Sequence, residues 1–118
     1  MAISGSLTYN NKSKSVSLRI RTITWLDDDA QRGGIRVGDI IKPGGTATAS
    51  MSNESLIPKG IGVDVEFVSA TDTAINITIH LEIPAVGKHT LDTLSANKLK
   101  AIYSGGEGNR YVANIVDA

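Results

Sequence analysis

Residues 74 to 83 alternate almost without error. Ile75, Ile77, Ile79, Leu81 and Ile83 fall on one parity, and Ala74, Asn76, Thr78, His80 and Glu82 on the other. Successive side chains of a strand point to opposite faces, so strict period two predicts a half-buried β-strand. The β-branched residues in it favour a pleated surface. Burying five such side chains contributes on the order of 8 to 15 kcal/mol before chain entropy is subtracted. This segment is the expected spine of the core.

Other segments repeat the pattern. Ile3, Gly5, Leu7 and Tyr9 alternate in a first strand, and Val16, Leu18 and Ile20 in a second. The second runs on to Trp25 through a bulge near Thr22 that swaps its faces. Val63, Val65 and Phe67 alternate with Asp64 and Glu66. Leu99, Ala101 and Tyr103 oppose Lys98, Lys100 and Ile102, residues 110 to 117 form a last strand, and residues 46 to 50 a short one. Between them lie turn signals. Residues 9 to 12 and 70 to 72 read as hairpin turns, as does the glycine-rich 105 to 109. Gly33 with Gly34, and residues 43 to 45, read as loops. Only residues 90 to 100 are expected to hold a helical turn, with Ser95 as its N-cap. The expected fold is all-β: a single antiparallel β-sandwich domain over residues 1 to 118, of about seven to eight strands.

Charge and composition narrow the function. Twelve basic and twelve acidic residues balance, whereas a nucleic-acid binder carries a basic surplus. No nucleic-acid partner is expected. Cysteine is absent, so no disulfide or thiolate metal site forms. The first residues lack the basic and apolar regions of a secretory signal, and no run is long enough for a membrane helix. The expectation is a soluble protein, cytoplasmic or released without a classical leader. Sequons at Asn11, Asn53 and Asn76 then carry no meaning.

Candidate chemistry is sparse. His80 and Glu82 supply two metal donors from one face, short of a zinc set, and His80 reads as a solvated strand histidine. No nucleophile elbow occurs. Asp27, Asp28 and Asp29 lack the spacing of a calcium loop and read as a solvated acidic loop. Asn109 and Arg110 follow the glycines of residues 105 to 108, where a phosphate loop needs Lys and Ser or Thr before a helix. The chain is therefore expected to be non-enzymatic and without cofactor or metal. Trp25 has two readings: exposed, it anchors a lipid headgroup or sugar; buried, it plugs the end of the sandwich, as a single Trp in a small core usually does.

The order of these elements resembles the aegerolysin family. An early strand leads to a polar turn at residues 9 to 13, then the strand SVSLRI, a loop with Lys42, Pro43 and Gly44, and a polar segment ending at Gly62. Two core strands, VDVEFV and INITIHLEIP, follow, then an exit loop, PAVGK, and SGGEGN before the last strand. The resemblance implies a folded β-sandwich that docks its loops on a membrane lipid or receptor and recruits a larger protein partner. The residues expected to make that contact are Trp25, Leu26, Asp28, Val86, Lys88 and His89. A second reading is a lectin-like or self-assembling β-sandwich, a homo-oligomer for which the spine strand offers a pairing edge.

Overall fold

The computed structural model describes residues 2–27, 30–55, 57 and 59–118. They form ten strands: β1 (Ile3–Asn11), β2 (Leu18–Trp25), β3 (Gln31–Gly33), β4 (Ile40–Ile41), β5 (Thr46–Asn53), β6 (Ile61–Ser69), β7 (Asn76–Ile83), β8 (Thr90–Asn97), β9 (Leu99–Gly105) and β10 (Arg110–Asp117). Two five-stranded sheets result. Sheet A has the order β3-β5-β1-β10-β9 and sheet B the order β4-β2-β6-β7-β8. The fold is the expected β-sandwich. It exceeds the expected strand count because β3 and β4, of three and two residues, are too short to show a period.

The spine behaves as its alternation predicts. Ile77, Ile79, Leu81 and Ile83 are wholly buried, as are Val63, Val65 and Phe67 of the neighbouring β6. Leu7, Tyr9, Ala49, Ala113 and Ile115 of sheet A close over them. The rings of Tyr9 and Phe67 meet edge to face, with centroids 4.9 Å apart, a preferred aromatic geometry. The bulge is also present. The β2–β6 register slips between Ile20 and Thr22, so Arg21 has no partner of its own. Its guanidinium reaches Glu66 through two bonds, Nε to Oε1 at 3.1 Å and Nη2 to Oε2 at 2.7 Å. That bond from Arg21 holds the Glu66 carboxyl below its ordinary pKa, against the smaller opposing effect of partial burial.

Three expectations are corrected. First, residues 9 to 12 make no hairpin. β1 and β2 lie in different sheets, and β1 pairs with β5 on one side and, in parallel, with β10 on the other. The chain crosses between sheets at Asn11, which is buried. Its Nδ2 donates to the carbonyls of Val16 at 2.7 Å and Ile41 at 2.8 Å; its Oδ1 accepts from the Ser13 amide and hydroxyl. One amide side chain, with both its hydrogens and its oxygen used, thus replaces a turn. Second, residues 90 to 97 are the edge strand β8, not a helical turn. Almost all of β8 is exposed, so no buried face imposes alternation. A register slip opposite Thr78 and Ile79 leaves Leu94 as an extra residue. Third, the spine offers no pairing edge, since β6 and β8 cover both its sides.

The other turns form as read, except that Gly33 ends β3 and the loop begins at Gly34. Hairpins join β6 to β7 and β9 to β10, and Gly105, Gly106 and Gly108 of the second adopt positive φ, which glycine alone enters freely. Asn11 and Asn53 are buried, so these two sequons are closed to a glycan in the folded chain. Among the described residues no helix is long and apolar enough to cross a membrane.

Among the described residues the buried hydroxyl of Tyr9 finds no hydrogen-bond partner. An unsatisfied buried group carries its full desolvation cost. Tyr9→Phe is therefore expected to raise stability by about 1 kcal/mol, whereas Ile79→Ala lowers it by roughly 2 to 5 kcal/mol. Urea midpoints at equal slope check both; a lower midpoint for Tyr9→Phe contradicts the first. The Arg21–Glu66 pair has an acid signature. Its contribution is present above the carboxylate's unfolded pKa and is lost as pH falls through the lowered folded one. Arg21→Gln should flatten the acid limb of a stability–pH profile in that window.

Candidate functional site

Strand register gathers several loops at one end of the sandwich. Trp25 pairs with Val63 and Ile61 with Ile83, so the chain leaving β2, entering β6 and leaving β7 emerges together. In sheet A the same end holds the start of β1 and the turn before β10. A Cβ on Gly5 would lie 2.8 Å from Ile83 Cδ1 and 3.0 Å from the Asn109 carbonyl, which stacks the two sheets' ends.

Close backbone approach fixes these loops. The Leu26 amide donates to the Gly62 carbonyl at 3.0 Å. A side chain at Gly62 would collide with Leu26 Cδ1 at 2.6 Å, and one at Gly60 with Pro84 Cα at 2.9 Å. Leu26, Asp27, Gly60, Pro84 and Ala85 therefore share one small cleft of about 180 Å³. Leu26, a wall of this cleft, is 39% exposed; Val86, 88% exposed, follows Ala85 in the exit loop, and Ile57, 70% exposed, lies in the segment leading into β6. Lys88 is exposed in the same exit loop.

The expected contact residues divide accordingly. Leu26, Val86 and Lys88 come together at this end. Trp25 does not join them. It lies half-buried on the inner parity of β2 and packs against the core at the lateral edge. The Arg32 guanidinium sits 5.8 Å from its ring centroid, within cation–π range. Trp25 and Arg32 share a cleft of about 600 Å³ with Gly34, Ile35, Arg36 and Asp39. His89 is also turned inward. Its Nδ1 is hydrogen-bonded to the Tyr111 hydroxyl and its ring meets that of Tyr111 edge to face. With Thr93 bonded to Tyr103 at 2.5 Å, this laces β8 to sheet A. Asp28 lies outside the described residues. Asp27 Oδ2 accepts from Asn53 Nδ2 at 3.1 Å. Ile57 was missed by alternation because it stands in no strand. Its signal was an apolar pair, Leu56 and Ile57, between polar residues and Pro58.

His80 is less solvated than its parity suggests. Nδ1 lies 2.6 Å from Asp64 Oδ1 and Nε2 lies 3.2 Å from Thr90 Oγ1. The three side chains run across β6, β7 and β8 on the outer face of sheet B. An acid holding one ring nitrogen and a hydroxyl on the other fixes the imidazole in place. Among the described residues no group of three or more His, Cys, Asp or Glu is placed to hold a metal.

Comparison with known proteins adds the fold. No family model matches this chain, and none of the curated proteins does. Solved structures share its architecture, among them the following two. One is the RahU protein, solved in complex with a TRIS molecule, with a TM-score of 0.73 and 11% identity over 97% of this chain and 96% of that one. The other is IP-1A from Alcaligenes faecalis, with a TM-score of 0.70 and 10% identity over 97% of this chain and 90% of that one. Both are small β-sandwich proteins.

Removing the guanidinium over Trp25 tests the edge packing. Arg32→Ala is expected to red-shift the emission of this sole tryptophan and to cost about 0.5 to 1 kcal/mol. An unmoved spectrum means that Arg32 does not shield the ring.

Proposed function

We propose that this protein is a small non-enzymatic lipid-binding component of the aegerolysin type. In this reading it stays folded, docks one loop end on a membrane lipid or receptor, and there recruits a larger protein partner. The observation that carries the reading is that Leu26, Ile57 and Val86, all exposed, stand on the three chain segments that register brings out at one end. Water-exposed apolar side chains on separate rigid loops gain from entering an apolar phase. Burying what remains exposed of the three contributes on the order of 3 to 6 kcal/mol before association costs. Lys88 adds about 1 kcal/mol toward an anionic surface. The fold supports the same reading, since RahU and IP-1A are aegerolysin-family members. The contact set is accordingly revised to Leu26, Ile57, Val86 and Lys88. Trp25 and His89 serve as edge closures behind it.

Vesicle co-sedimentation over a panel of lipid compositions tests the proposal. Binding to at least one composition is expected. Leu26→Asp with Val86→Asp should abolish it while leaving the far-UV spectrum unchanged, and Lys88→Gln should weaken it by about fivefold on anionic vesicles. No binding across the panel, or binding indifferent to the double substitution, would sink the reading.

A further inference from the structure

On the outer face of sheet A, β1 and β5 carry a grid of hydroxyl and amide side chains whose two halves differ. Toward the β1–β2 crossover the grid satisfies itself. Thr8 bonds Thr48 at 3.0 Å, Thr46 donates to Asn10 at 2.8 Å, and Asn10 donates to Asn114 at 3.0 Å. Toward the loop end, Ser4 pairs in register with Ser52, and Ser6 with both Ser50 and Arg110. Among the described residues none hydrogen-bonds to the side chains of these four serines or of Arg110. They line a groove of about 580 Å³, with Gln31 and Arg32 at its rim. Among the described residues its lining includes Arg110 and Arg32 and no carboxylate, the Arg32 guanidinium itself standing over Trp25; Glu107 lies next to Arg110 in an adjoining depression.

Gly33 supplies the second observation. Its neighbour Gly34 is required by the fold, because φ is +89° and a Cβ would sit 2.1 Å from the Thr48 carbonyl oxygen. Nothing comparable holds at Gly33. It lacks a positive φ, a Cβ there would meet nothing within 4 Å, and the residue lines the groove. A side chain is sterically permitted at this position, and its absence keeps the groove open. The 107–109 turn is anchored beside it, with Asn109 Nδ2 donating to the Ser4 carbonyl at 3.0 Å.

We infer that this groove binds a sugar carrying a phosphate or sulfate group. Serine hydroxyls both donate and accept, as sugar hydroxyls do, so four of them match a polyol in either sense. A guanidinium presents a planar fork to a tetrahedral oxyanion, and charge-assisted bonds of that kind are the strong ones. Neighbouring strands are about 4.8 Å apart and alternate residues about 7 Å apart along each. The hydroxyl grid therefore spans a ring rather than a single anion. The inference is independent of membrane docking, which uses the loop tips and not this face.

Calorimetric titration with glucose, inorganic phosphate, glucose 6-phosphate and a sulfated disaccharide tests it. The phosphorylated or sulfated sugar should bind, and bind more tightly than phosphate or glucose alone. Arg110→Gln should weaken it by about tenfold or more, and Gly33→Leu should abolish it. Lys42→Gln, at an exposed position outside the groove, should leave it unchanged. Vesicle binding by Gly33→Leu separates the two proposals. Retained vesicle binding with lost sugar binding supports the groove; the Leu26 and Val86 double substitution should show the converse. If none of the probes binds, or phosphate equals the sugar phosphate, the inference fails. It also fails if Gly33→Leu loses only vesicle binding, since the groove then reads a lipid headgroup.

Discussion

Everything in this molecule depends on the dry contact between the inner faces of its two sheets. That contact consumes the β-branched parity of β6 and β7 against Leu7, Tyr9, Ala113 and Ile115. Interiors packed at crystal-like density leave no room for a ligand. Recognition is consequently confined to what the sandwich carries outside: the ends of its strands and the outward parity of its sheets. The two proposed surfaces are of these two kinds. One is an apolar loop end, the other a polar sheet face.

The interior tolerates little that does not contribute to packing. Asn11 is admitted because each of its polar atoms is used, and it binds the crossover to both sheets. The Tyr9 hydroxyl is admitted without a partner among the described residues; the ring's contact with Phe67 and its volume offset that cost. At the lateral edges the solutions are different. Arg32 covers Trp25 at one, and tyrosine hydroxyls meet Thr93 and His89 at the other. These side chains are amphipathic, with one end in the core and the other in water.

Legibility in the sequence followed burial. Strands with one buried face were readable nearly to the residue, as with β7 and β10, and even the β2 bulge showed as a parity change. The edge strand β8 was not, because an exposed strand has no hydrophobic period. The crossover at Asn11 reads as a hairpin because Tyr9, Asn10, Asn11 and Lys12 have turn composition. Nothing local distinguishes a turn from a change of sheet. At the proposed loop end, Leu26, Val86 and Lys88 are legible as apolar or basic residues just past strand ends. The aromatic and imidazole residues Trp25 and His89 were placed with them on chemistry alone, whereas Arg32 and Tyr111, distant in sequence, decide where they point. The serine groove was invisible for the same reason. Its members come from β1, β3, β5 and β10, and only register makes them neighbours.

The parallel union of β1 with β10 has a kinetic corollary. The first strand occupies the centre of its sheet, and one of its two flanks is filled only by the last strand. Until that segment leaves the ribosome, β1 exposes a row of open amides and carbonyls, along with the inner faces of Leu7 and Tyr9. A topology so rich in distant pairings folds slowly, and a nascent chain in this condition invites wrong partners. Sheet B, whose β6, β7 and β8 are consecutive hairpins, is free of that delay and is the natural template on which the other half condenses.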